Sequence, residues 1–239
     1  GHAGKMAVIL EASCGTVEEA KLALAHEIDR VEICAALSTQ GVTPSPGAFL
    51  SVRESTTGPV FAMILGAENG FTPAEDEFQA MLRDAAWFAE NGADGLVFGL
   101  LREDFTVDSE RNARLLEASR GLPCTFHRAF DLTPDAHAAL ETIGTLGFAR
   151  LLTSGHAADV SQGISGLAML KANMPDGLAL LPGGGVRAEN AAEVLAASGA
   201  NELHFSLRAS RAVTRRGAAA EWSLHPERIA AVRSALAAG

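Results

Sequence analysis

Three cysteines in a chain of 239 residues are too few, and too odd in number, to build a disulfide scaffold. A reduced, cytoplasmic setting is therefore expected. Basic residues are also scarce, since 19 Lys and Arg against 29 Asp and Glu leave a net charge of −10. Binding along a nucleic-acid backbone needs clustered cations that displace counterions, so a broad phosphate footprint is excluded. What basic clustering there is lies at Arg208, Arg211, Arg215 and Arg216. No run approaches the roughly 18 to 20 apolar residues that a membrane span needs, and no secretory signal precedes the first apolar run. Residues 1–6, which begin Gly1-His2-Ala3-Gly4, read as an expression remnant and lead-in. Cys-x-x-Cys and His-Glu-x-x-His spacings, the Walker phosphate loop and the Gly-x-Ser-x-Gly nucleophile turn are all missing.

What is present is a folded composition, 48% hydrophobic and 20% charged, with no internal break or low-complexity stretch. Short apolar runs recur at 7–12, 30–35, 59–65, 95–101, 122–130, 149–154, 178–182 and 201–207. Between them apolar residues fall at three- and four-residue spacing, the signature of a helix with one buried face. Thr16 with Glu19 reads as a capping box, and Thr72-Pro73-Ala74-Glu75, Asp108, Asp135 and 187–190 read as further helix starts. Asn91-Gly92, Gly121, Gly147 and Gly199 read as helix stops. Strand then helix, repeated eight times, predicts parallel strands joined by right-handed crossovers. The expected fold is an α/β single (β/α)₈ TIM-type barrel covering 7–239. An open doubly wound sheet is the alternative, but its dinucleotide-type glycine fingerprint is missing.

In such a barrel, chemistry collects at the C-terminal ends of the strands. Side chains alternate along a strand, so polar residues of one parity point inward together. Glu11 and Ser13 share a face on the first strand, and Glu32 and Cys34 on the second. Thr125 and His127 share one on the fifth, and Glu202, His204 and Ser206 on the eighth. Polar groups in apolar strands are costly to bury unless paired, solvated or functional. One reading is a satisfied hydrogen-bond network that closes the barrel mouth. The other is a catalytic site in which Glu11 and Glu32 face His127 and Arg128, the carboxylates working as acid and base. Gly183, Gly184 and Gly185, followed by Arg187, form either a tight turn or a cradle for an anionic group, with Thr153 and Ser154 adding hydroxyls. As metal ligands, Cys34 with His127 or His204 would suit Cu(I) or Zn.

Several blocks, in order through almost the whole chain, resemble the CutC family. They are Arg30-Val31-Glu32-Ile33-Cys34-Ala35, Gly41-Val42-Thr43-Pro44-Ser45, Thr125-Phe126-His127-Arg128-Ala129-Phe130-Asp131, Leu152-Thr153-Ser154-Gly155 and Pro182-Gly183-Gly184-Gly185-Val186-Arg187. The resemblance implies a TIM-type barrel, a cytoplasmic homodimer and a role in copper homeostasis with copper as the bound metal, held by Cys34 and His204. The residues alone point to no other cofactor. The chain departs from the family pattern at 64–70, which carries no arginine, and at Ser13, where the family has a cysteine. Copper homeostasis is the function the resemblance implies. An enzyme acting on a small polar or anionic substrate, phosphorylated ones included, through Glu11, Glu32, His127 and Arg128 is the alternative from the residues. Neither a nucleic-acid nor a membrane partner is expected.

Overall fold

A computed structural model describes residues 7–213 and 220–239, and for 210–213, 220 and 221 the backbone alone. The lead-in at 1–6, Arg215 and Arg216, and the side chain of Arg211 lie outside the described residues. Each apolar run carries one parallel strand: β1 (Ile9–Cys14), β2 (Arg30–Ile33), β3 (Val60–Met63), β4 (Gly95–Phe98), β5 (Cys124–Phe126), β6 (Arg150–Thr153), β7 (Ala179–Pro182) and β8 (Glu202–Ser206). They form one sheet in the order β7-β6-β5-β4-β3-β2-β1-β8. A single parallel bridge from Gly183 to His204 spans the gap between β7 and β8 and nearly closes a barrel. The helices between are α1 (Val17–Ala25), α2 (Pro46–Arg53), α3 (Glu75–Glu90), α4 (Ser109–Ala118), α5 (Ala136–Leu146), α6 (Ile164–Asn173) and α7 (Ala191–Ser198). An antiparallel hairpin, β9 (Arg208–Val213) and β10 (Ala220–Leu224), precedes α8 (Glu227–Ala237). No described helix is long and apolar enough to cross a membrane.

Strands covered on both faces read as near-continuous apolar runs, and these do. The outward side chains, among them Leu10, Ala12, Val31, Ile33, Ala62, Leu96 and Phe98, join the helices in one large core. A smaller inner cluster of Cys34, Phe61, Met63, Leu65 and Val97 fills part of the barrel. Phe61 fits there because Gly95 has no side chain; a Cβ would sit 2.5 Å from its ring.

Local signals act at the helix ends. Thr16 Oγ1 accepts from the Glu19 amide at 3.1 Å, and Glu19 reaches back to the Gly15 amide at 3.3 Å. Asp108 and Asp135 cap α4 and α5 by the same geometry. Gly147 and Gly199 end α5 and α7 in the left-handed region, at φ of 91° and 62°. The start expected at Thr72 is displaced. Its hydroxyl donates to the Leu101 carbonyl instead, and α3 begins at Glu75 after Ala74. The hairpin between β8 and α8 was not expected from the sequence.

Candidate functional site

The barrel interior is polar in layers, and register sets the depth of each. Glu11 lies level with Arg30 of β2 and with His204 of β8, whereas Glu32 lies level with Ser13, two residues nearer the mouth. At the lower level Arg30 donates to Glu11 through Nε and to Glu202 at 2.8 Å, and Arg150 donates to the other Glu202 oxygen at 2.8 Å. Both guanidinium groups lie against the Phe61 ring, at 4.9 and 5.4 Å from its centroid. These cations face a ring and two carboxylates in a space closed to water, where such pairs hold strongly and breaking one is costly.

Above this plug, His204 Nδ1 lies 2.6 Å from Glu11 Oε1 and 3.8 Å from Glu32 Oε2. Burial alone would raise the Glu11 pKa, but Arg30 and the His204 hydrogen bond overcome it and hold the group near 2. Burial also acts against the charged form of His204, yet its bond to Glu11 and the charge of Glu32 lift its pKa above the usual imidazole value. Glu32 lacks a comparable partner. Burial pushes its pKa up to about 7, helped by Glu11 and opposed by His204 and Arg30. The arrangement keeps Glu11 ionised and favours the protonated form of His204, and near neutral pH Glu32 gains and loses its proton.

Glu32 and His204 reach the floor of a cavity of about 360 Å³, with Ser13 and Ser206 beside them and His127 and Arg128 on its walls. Met63, Leu65, Phe71 and Phe205 supply its apolar surface. Two atoms at this cavity are buried without a hydrogen-bond partner among the described residues, Glu32 Oε2 and His127 Nε2. Buried polar groups are rarely left so, and each calls for an explanation. The His127 ring stands edge-on to Phe71, with centroids 5.2 Å apart. Burial lowers its pKa to about 4.

Arg128 is held at the rim. Its Nε meets Asp131 Oδ2 at 3.0 Å, and another nitrogen donates to Ser154 Oγ at 3.0 Å and the Ala158 carbonyl at 2.9 Å. Thr153 and Ser154 both donate to Asp131, at 2.5 and 3.0 Å, so their hydroxyls fix the arginine and do not line the cavity. Gly184 and Gly185 do line it, at φ of 99° and 82°, where other residues would be strained. A Cβ on Gly184 would stand 2.8 Å from the Arg128 guanidinium carbon, so the glycine makes room for the arginine. Gly183 lies beneath, in the bridge to His204, and Arg187 is exposed and outside the lining.

The fold brings Glu32, His127, Arg128 and His204 to one cavity, and the expected facing of Glu11 with His127 and Arg128 is replaced by its pairing with Arg30 and His204. Cys34 lies in the inner apolar cluster outside the cavity lining, with its sulfur 3.5 Å from the Cys14 carbonyl. Burial and neighbouring carboxylates push its thiol pKa far up. The one group of potential metal donors among the described residues is Glu11, Glu32 and His204, whose ligand atoms lie within 4.8 Å of one another. Among the cavity residues that the sequence did not single out are Phe71 and Arg228. Arg228 comes from the first turn of α8 and donates to the carbonyls of Ser206 and Arg208, at 3.2 and 2.7 Å. An arginine on a helix far along the chain gives no sequence signal of that position.

Against known proteins, the model of the CutC family matches residues 8–209. A protein named copper homeostasis protein cutC homolog from Homo sapiens is 40% identical over 85% of this chain and 74% of its own length. A family protein CutC from Enterobacter sp. is 40% identical over 83% of this chain and 79% of its own. A solved structure named for CutC from Streptococcus agalactiae superposes with a TM-score of 0.76 at 28% identity, covering 83% of this chain and 98% of that one.

Proposed function

The chain belongs to the CutC family, and from that premise we propose that it is a copper homeostasis family member whose cavity performs acid–base chemistry on a small anionic molecule. The observation that carries this reading is Oε2 of the buried Glu32, which has no hydrogen-bond partner, lies 3.8 Å from His204 Nδ1 and belongs to a side chain that lines the cavity. A pKa near 7 is where a group both takes and gives a proton at neutral pH. His204, kept cationic by Glu11, supplies a fixed positive charge beside it. Arg128 and Arg228 at the rim, with the Gly184–Gly185 backbone, attract and orient the anion.

The relatives' name makes copper the metal to weigh against the donors. Cu(I) favours thiolate, thioether and imidazole ligands. The donor group contains two carboxylates and one imidazole, whose Nδ1 is already bound to Glu11, and the one nearby thiol, Cys34, faces an apolar cluster. These residues do not fit a Cu(I) centre, and no step is routed through one. A cytoplasmic location and a homodimer belong to the same proposal. The free, buried Cys14, Cys34 and Cys124 support the first, and family membership supports the second.

Calorimetric titration with glycolate and with inorganic phosphate tests the site. Binding of either anion that weakens about tenfold or more in Arg128→Ala is the expected result, from the loss of a charge-assisted contact. A protein that binds neither anion, but purifies with stoichiometric copper that Cys34→Ser removes, replaces this reading with a metal-holding one.

A further inference from the structure

His127 is the second buried atom pair-less at the cavity, and its environment determines what it can offer. It is the residue before a short 3-10 turn over Arg128–Leu132, and its Nδ1 accepts from the Ala129 amide at 3.2 Å. An accepting Nδ1 has no proton, so the single proton of the neutral ring sits on Nε2. Nε2 is the buried atom without a partner, in a side chain that lines the cavity. Phe71 and Phe126 stand edge-on to the ring at 5.2 and 6.1 Å, and Gly99 leaves room for it, since a Cβ there would meet Nδ1 at 3.1 Å. His127 is therefore a closely packed, neutral N–H donor without an acceptor among the described residues, and it shares its cavity with a Glu32 oxygen that has no hydrogen-bond partner.

We propose that His127 Nε2–H binds the carbonyl oxygen of a substrate whose adjacent carbon gives up a proton to Glu32, so that the site takes small α-hydroxy carbonyl compounds through an enediolate. The proposal rests on the acid–base reading of the same cavity and names its substrate class. In the step, the Glu32 carboxylate forms a bond to the proton, and the C–H bond breaks. Its electron pair becomes the carbon–carbon π bond, and the carbonyl π pair moves to oxygen. The resulting oxyanion accepts the hydrogen bond from His127. The Glu32 proton then returns to the carbon it left, or to the other carbon once the hydroxyl proton has passed to the first oxygen, which isomerises the compound with no net oxidation. A neutral imidazole suits this role because it stabilises a forming oxyanion without surrendering its proton outright, and a neutral histidine beside a carboxylate base is a known pairing for such chemistry. The lowered His127 pKa agrees with the tautomer deduced from the hydrogen bond.

Glycolohydroxamate, a planar mimic of an enediolate, and glycolate, which lacks that geometry, distinguish the outcomes when titrated with EDTA present to remove metal chelation. The wild-type protein is expected to bind the hydroxamate about 30-fold or more tightly than glycolate, as transition-state mimics do. In His127→Phe, which keeps the ring packing and loses the donor, that preference is expected to fall to about threefold or less, with glycolate affinity little changed. Nitrogen-15 spectra of the wild-type protein provide a check that needs no variant: His127 is expected to remain the neutral Nε2–H tautomer at pH 6. Glycolate binding without a hydroxamate preference, or an imidazolium at pH 6, overturns this proposal and leaves the acid–base reading standing. Binding of neither compound overturns this proposal, and binding of neither compound nor of inorganic phosphate overturns both.

Discussion

Glu32 and Glu11 are the same residue type on neighbouring strands, yet the fold drives their acidities apart. Parity along the strand identifies both as inward, and that much is legible in the sequence. Depth is not legible, because it depends on register, which sets Glu11 beside Arg30 and His204 and leaves Glu32 above them. The difference predicts a pH-dependent stability. A carboxyl with its folded pKa raised to about 7 keeps its proton while the unfolded chain has lost it, so stability falls as pH rises from about 4.5 to 7. Glu32→Gln removes that loss. Relative to the wild type, it is expected to gain on the order of 1–3 kcal/mol by pH 8 and little at pH 4, read from urea midpoints across the range. His127, depressed to about 4, contributes the opposite slope between about 4 and 6.5, so the comparison of variant with wild type, and not the wild-type curve alone, isolates Glu32.

At the level of elements, all eight strands follow from apolar runs bounded by helix caps, and most caps act as their residue types predict. The start of α3 does not, because the Thr72 hydroxyl is turned to donate to the Leu101 carbonyl across the loop and accepts from no amide of α3. The β9–β10 hairpin gave no clear strand signal, since Ala and Arg dominate its first arm and its pairing is antiparallel and outside the barrel sheet. The capping box of α1 conceals a long-range tie. Glu19 also accepts twice from Arg208, at 2.9 and 2.5 Å, and so fastens the start of β9 to α1. Removing the cap alone, in Thr16→Ala, is expected to cost about 1 kcal/mol. Glu19→Ala strands a largely buried arginine and is expected to cost about 3 kcal/mol or more, measured by equilibrium unfolding.

For the whole molecule, an excess of acidic residues coexists with an interior held by arginines. Arg30 and Arg150 sit between Glu11, Glu202 and Phe61, and this plug supports the floor on which His204 and Glu32 rest. Composition reports only the sum of charge, so nothing in it could reveal an ordered cationic layer inside. Arg30→Met takes one cationic partner from each of two buried carboxylates, leaving Glu11 with His204 and Glu202 with Arg150. It is expected to destabilise the fold by about 3 kcal/mol, with a lower thermal midpoint and a Glu11 pKa shifted upward in carboxyl carbon-13 spectra. The sheet itself is least continuous where β7 meets β8, joined through Gly183 and His204 alone among the described residues. One end of that stitch is the histidine on the cavity floor, and the next two residues beyond the other end are Gly184 and Gly185 of the cavity wall. A guest in the cavity would therefore touch both sides of the barrel's closing seam at once.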